Sequence, residues 1–223
     1  MMRATMLFIW LTLSGCQSVG HIKIDSTASQ KADMHFIGIP VLAGAIGTSF
    51  PITRHYSLTA GHVAKIMLVK VKAYNPLCDV AIIYHDNTGR ILPKLEPATL
   101  GEGLRLYGFN AYTAMPTSSS GRLEQFGWWG QPRTSCLVGL TDAGGIQGMS
   151  GGPVYGADGA VVGVFTATHP KRDQSIFVPY QIIADWIRKQ HLDMQPADDS
   201  PSPIPDMAKV SPITISEPIR AFN

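Results

Sequence analysis

Three short segments of this chain combine the residue types that acid–base and nucleophilic chemistry require. In Ser57-Leu58-Thr59-Ala60-Gly61-His62-Val63 a β-prone run leads through small residues to a histidine. Such a run can place an imidazole at a strand end with room around it. Six other histidines occur, and none has this setting. In Cys78-Asp79-Val80-Ala81-Ile82-Ile83 a carboxylate opens an otherwise apolar run. Burying it requires a cation or hydrogen-bond donors, and an imidazole Nδ1–H would serve. Read alone, the segment equally describes a strand-start Asp that caps a turn. In Gly148-Met149-Ser150-Gly151-Gly152-Pro153 glycines surround a serine. Backbone of this kind approaches a substrate closely and can turn two N–H groups toward one point, where each stabilises an oxyanion by roughly 2.7–4 kcal/mol. A nucleophile, a base and an orienting acid are all available.

The serine segment also fits the Gly-x-Ser-x-Gly elbow of α/β-hydrolases. There the serine opens a helix, and the acid and the histidine follow it in the chain. Here both candidates precede Ser150, and Gly151-Gly152-Pro153 followed by the β-prone Ala160–Thr166 is a poor helix start. The elbow is rejected.

The elements that must hold these residues read as all-β. Short β segments are expected at Phe36–Leu42, Ile46–Phe50, Tyr56–Leu58, Ile66–Ala73, Val80–Tyr84 and Leu104–Gly108, with turn-rich stretches such as Asn87-Thr88-Gly89 between them. A second β-rich block runs over about 121–168, clearest at Cys136–Thr141 and Ala160–Thr166. Two such blocks predict two barrels or sandwiches. Ile182, Ile183, Trp186 and Ile187 then recur at helical spacing, with Arg188 and Lys189 where a helix dipole favours cations. Beyond Gln195 the chain turns Pro- and Ser-rich and reads as a disordered tail.

The order His62, Asp79, Ser150, with Thr-Ala-Gly-His and Gly-x-Ser-Gly-Gly-Pro around two of them, resembles the chymotrypsin/trypsin-like serine protease family of bacterial type. The likeness runs over about 36–192, and Ala184-Asp185-Trp186-Ile187 is similar to the family's closing helix. It implies two six-stranded antiparallel β-barrels with a C-terminal helix: barrel one at about 35–112, barrel two at about 118–176 and the helix at about 178–192. It also implies that His62 is the general base, that Asp79 orients it and that Ser150 attacks the carbonyl of a polypeptide substrate. The N–H groups of Gly148 and Ser150 would form the oxyanion hole. Val164–Thr168 would pair with an extended substrate as an added strand. No cofactor is implied. The spacing from histidine to acid is short, 79 − 62 = 17 residues, so the loops of barrel one are trimmed; Asp86, in the turn Asp86-Asn87-Thr88-Gly89, is the fallback acid.

Two departures from the animal members carry information. Met149 stands where those members have the Asp that holds a freed N-terminus, so activation by that route is not expected. Gly144 stands where members that cut after Arg or Lys have an Asp, and by the same resemblance Thr166, Ala167 and Thr168 would form the opposite wall. A guanidinium buried there would be unpaired, which costs several kcal/mol, so an uncharged, small-to-medium apolar residue is expected before the cut. The exception would be Asp142 swinging into the pocket.

The N-terminus reads as a targeting segment. Met1–Arg3 is a short positive start, Ala4–Leu13 is almost wholly apolar, and Leu13-Ser14-Gly15-Cys16 resembles the lipobox of bacterial lipoproteins. The apolar run is about half of the roughly 20 residues that cross a bilayer. Residues 1–15 are therefore expected to be a lipoprotein signal peptide, Cys16 the lipidated residue, 16–34 a tether, 35–193 the catalytic domain and 194–223 the tail. Gln17 rather than Asp after the cysteine favours the periplasmic face of the outer membrane. In that oxidising compartment Cys78 and Cys136 are either paired or separate buried thiols. No metal-ligand spacing occurs. With a net charge of +2 and no Lys/Arg run, nucleic acid is not an expected partner. The alternative to an active, membrane-anchored endopeptidase is a catalytically silent protease fold used as a binding module.

Overall fold

The computed structural model describes residues 21–39, 43–129, 136–169 and 172–192. The expected signal peptide, Cys16 and the tail from 194 onward lie outside them.

The chain builds two antiparallel sheets. The first contains β2 (Asp33–Ile39), β3 (Ala43–Pro51), β4 (Tyr56–Thr59), β5 (Val71–Tyr74) and β6 (Ala81–Tyr84), in the order β2-β3-β4-β6-β5. The second contains β7 (Gly103–Phe109), β8 (Pro116–Trp129), β9 (Cys136–Thr141), β10 (Pro153–Tyr155), β11 (Val161–Thr168) and β12 (Ser175–Pro179). Their order is β8-β7-β10-β11-β12-β9, and a further β8–β9 pairing closes them into a six-stranded barrel. The 14-residue β8 makes closure possible. Its first half pairs with β7, its second half with β9, and the register shifts between Leu123 and Gln125, where the strand turns the corner.

Patterning explains the elements. Along β9 every residue is buried, because Val138 and Leu140 enter one core cluster while Leu137 enters another. A continuous apolar run suits a strand covered on both faces. One cluster joins Phe50, Leu58 and Ile82 of the first sheet to Val138, Val164 and Val178 of the second, so the sheets share a core. Helix α3 (Tyr180–Arg188) buries Tyr180, Ile183, Ala184 and Ile187 in that core. It starts at Pro179, whose fixed φ leaves β12 cleanly, and carries Arg188 in its last turn. It is shorter than the expected 178–192. The Gln181 side chain exchanges two 3.0 Å hydrogen bonds with the backbone of Ala98 and pins the helix to the loop before β7.

Four sequence expectations are corrected. Leu104–Gly108, assigned to barrel one at 35–112, lies in β7 and belongs to the second barrel, because its partner Thr117–Gly121 begins that barrel. The first sheet has five strands among the described residues rather than six. The expected strand Ile66–Ala73 is split: Gly61–Ile66 forms a short helix α2, and only Val71–Tyr74 is extended. The segment 21–34, expected within the tether, is docked. Lys23–Ile24 (β1) pairs with Thr117 and Ser118, and Ala28, which opens helix α1 (Ala28–Lys31), and Ala32, which follows it, are buried. Lys31 Nζ lies 3.9 Å from the centroid of the Tyr155 ring, and the Asp33 carboxylate pairs with Arg90. Two alanines and a backbone ladder leave little trace in hydropathy.

Cys78 and Cys136 are bonded, with Cα atoms 5.0 Å apart. The bridge ties the loop between β5 and β6 to the start of β9, one barrel to the other.

Candidate active site

His62 is the second residue of α2, immediately after β4. Asp79 sits in the tight loop that joins β5 to β6. Asn75 Oδ1 shapes this loop by accepting the N–H groups of Leu77 and Cys78 at 2.9 and 2.8 Å. The same loop explains the short sequence spacing from His62. The carboxylate is used twice: Oδ2 lies 2.6 Å from His62 Nδ1, and Oδ1 accepts the His62 backbone N–H at 2.8 Å. Both side chains are largely buried. A carboxylate facing Nδ1 stabilises the tautomer with the proton on Nδ1 and leaves Nε2 as a base. The fallback Asp86 is instead fully exposed in its turn, bonded to the N–H and hydroxyl of Thr88, which hold its carboxyl below the usual range.

Ser150 lies on the turn between Gly148 and β10, and a strand rather than a helix follows it, as rejection of the elbow required. Its backbone C=O accepts from Thr48 N–H at 2.9 Å, and Thr48 Oγ1 donates to Gly148 C=O at 2.7 Å. Thr59 Oγ1 in turn donates to Thr48 C=O at 2.6 Å. A Cβ at Gly151 would lie 2.1 Å from Thr48 O, 2.2 Å from Thr59 Oγ1 and 2.9 Å from Ala60 N. Only glycine permits this approach, which brings the serine turn against the chain two residues before His62. Thr48 is a positioning residue that the sequence offers only as one member of the expected β segment Ile46–Phe50. The available signal was a small polar residue within a buried, β-prone stretch.

The orientation of the Gly148 peptide is also fixed. The Gln147 carbonyl accepts Ala111 N–H at 2.8 Å, and a trans peptide sets the Gly148 N–H opposite that carbonyl, away from the 110–115 loop. Gly148 has φ +98°, and a Cβ there would lie 2.4 Å from Phe109 O. The loop is further tied by Tyr112 Oη, which donates to Gln147 Oε1 at 3.0 Å.

The proposed substrate-binding residues lie on the two sides of this turn. Gly144 is buried in the run leading to Gly148. Thr166 is buried in β11, and its carbonyl accepts the Ser150 hydroxyl at 3.2 Å; Ala167 and Thr168 follow, half-buried and paired with Ile176 and Ser175. The expected substrate-pairing stretch Val164–Thr168 is shortened. Val164 already pairs with Pro153, and Phe165 uses its N–H and C=O on Gly152 and Gly151. Asp142 does not enter the pocket: its Oδ1 accepts the Arg122 backbone N–H at 2.6 Å and caps the bend of β8.

No family model matches the sequence, and no curated protein matches it. Solved structures do match the fold. The active form of the Rv3671c protease from M. tuberculosis aligns with a TM-score of 0.62 at 19% identity, over 77% of this chain and 84% of the other. The protease domain of MamO from Magnetospirillum magneticum aligns with a TM-score of 0.60 at 19% identity, over 72% and 97%. The HtrA-type protease AlgW, solved with a tripeptide, gives 0.62 at 16% identity, over 73% and 62%. This chain therefore has the chymotrypsin-like fold that these serine proteases share.

Proposed function

We propose that the chain is a serine endopeptidase in which His62, Asp79 and Ser150 form the catalytic triad. The observation that carries this reading is the doubly accepting Asp79 carboxylate, 2.6 Å from His62 Nδ1, beside a serine on a glycine-rich turn. In the resting arrangement the Ser150 proton is directed to the Thr166 carbonyl. Rotation about the serine Cα–Cβ bond turns it to His62 Nε2, which takes the proton as Oγ attacks the substrate carbonyl. The tetrahedral oxyanion is met by the N–H groups of Gly148 and Ser150. His62 then protonates the leaving amine, and water hydrolyses the acyl-serine by the reverse proton path. Retention of nucleophile, base and orienting acid weighs against the silent binding module.

The reading extends to location. Cys16 carries the lipid, the signal peptide at 1–15 is removed, and the enzyme is held at the periplasmic face of the outer membrane. The support is Leu13-Ser14-Gly15-Cys16 after a short apolar run.

Replacement Ser150→Ala tests the chemistry. The circular dichroism spectrum stays that of the wild type while kcat on casein or a peptide falls by about 10⁶, to the residual rate of binding and oxyanion stabilisation. An Ala variant that cleaves at the wild-type rate would overturn the assignment.

A further inference from the structure

A substrate carbonyl seated at Ser150, its oxygen toward Gly148 and Ser150 N–H, directs the side chain of the residue before the cut into one gap. One wall of that gap is the run 143–147 leading into Gly148. The other is β11 at Thr166, whose carbonyl lies 3.2 Å from Ser150 Oγ. A ring bridges the two walls. A Cβ built on Gly145 would lie 2.5 Å from Cζ and 2.8 Å from Cε2 of Phe165. The tip of that ring thus rests on the backbone of the first wall, while Phe165 itself belongs to the second. Phe165 cannot swing aside cheaply. Its N–H donates to Gly152 C=O at 2.9 Å, and its C=O accepts from Gly151 N–H at 2.7 Å. The ring is buried in the cluster that holds Ile146, Met149 and Phe177. The hydroxyl of Ser175, also buried, lies 2.8 Å from the same Cβ position on Gly145 and occupies the space beside the ring.

We propose that Phe165 is the specificity-determining residue of this site: its ring closes the primary side-chain pocket, so the residue before the cut must be small, namely Gly, Ala or Ser. The inference rests on the endopeptidase reading and narrows the neutral-pocket expectation from the sequence. A larger side chain would have to displace a ring locked in a close-packed core, and interiors resist added volume. Loss of Phe165 removes the obstruction without touching Ser150, His62 or Asp79.

The test is a peptide series that differs only in the residue before the cut, read as kcat/KM. The wild type is expected to favour Ala over Leu or Phe by about 100-fold or more, the discrimination that a hydrophobic pocket of fixed size can reach. Phe165→Ala is expected to bring the Leu and Phe peptides within about tenfold of the Ala peptide. Phe165→Val, a smaller change in core volume, is expected to shift the ratio in the same direction. Reaction of Ser150 with a fluorophosphonate, which presents no such side chain, separates the two ideas. A wild type that does not label has lost the endopeptidase reading. One that labels but cleaves after Leu or Phe as fast as after Ala overturns the role of Phe165. Folded variants with an unchanged ratio overturn it as well. If neither variant folds, the wild-type profile alone decides.

Discussion

Breaking the Cys78–Cys136 bridge should lower stability far more than it lowers chemistry. The bond closes a loop of 58 residues in sequence. The chain-entropy relation for such a loop gives a loss of about 14 cal/mol/K, or about 4 kcal/mol at room temperature. For a domain of this size each kcal/mol moves Tm by about 2–4 °C, so the double variant Cys78→Ser/Cys136→Ser should melt about 8–16 °C lower. The native site has separate supports. Asp79 remains held by the His62 N–H, and its loop by the Asn75 side chain. Peptide cleavage well below the transition should therefore persist in the variant. The assay is thermal unfolding by circular dichroism, of the wild type with and without reductant and of the double variant, alongside cleavage at 25 °C. A fall in Tm below about 3 °C would refute the loop-closure reasoning. Loss of cleavage in a folded variant would show that the bridge itself positions Asp79.

Three further outcomes are expected. Gly148→Ala places a methyl 2.4 Å from Phe109 O at a φ of +98°; moving the proposed oxyanion donor should cut kcat by about 10²–10³ with little change in KM, measured by steady-state kinetics. The His35 imidazole, 2.8 Å from Ser49 Oγ and edge-on to the His85 ring, has its pKa lowered by burial and then by His85, against an opposing pull from Asp33. The unfolded chain therefore binds a proton first, and stability should fall as pH drops below the ordinary histidine value of 6.5, a loss that His35→Gln should reduce in urea titrations at pH 7 and pH 5. Cys16→Ala should abolish incorporation of an alkyne fatty acid in cells; equal labelling of variant and wild type would remove the lipid anchor from the account.

What the sequence discloses follows from how much geometry each residue needs. His62 and Ser150 are legible because the chain around them must be small: Gly151 passes within van der Waals range of Thr48, Thr59 and Ala60, and no other residue type would serve. Asp79 is only half legible, since an Asp before a strand is common, and its use appears only when the Asn75 turn folds it under His62. The Cys78–Cys136 pairing leaves no mark in spacing, because it joins two barrels whose contact is tertiary. The same holds for β7: its apolar alternation announces a strand, but its partner β8 decides which barrel it joins. Residues 21–34 are nearly silent, since a two-residue strand, two alanines and the Arg90 ion pair dock them without an apolar run. Phe165 reads in the sequence as one more strand residue, and only its contact with Gly145 gives it a part in specificity.

The central claim is that Ser150 is a nucleophile activated by His62. It is tested most directly by reacting the purified protein with a fluorophosphonate probe and mapping the adduct by mass spectrometry. The account predicts a single adduct on Ser150, absent from Ser150→Ala and formed far more slowly in His62→Ala, with all three proteins folded. A folded wild type that forms no adduct, or an adduct on another residue that persists in Ser150→Ala, would contradict it.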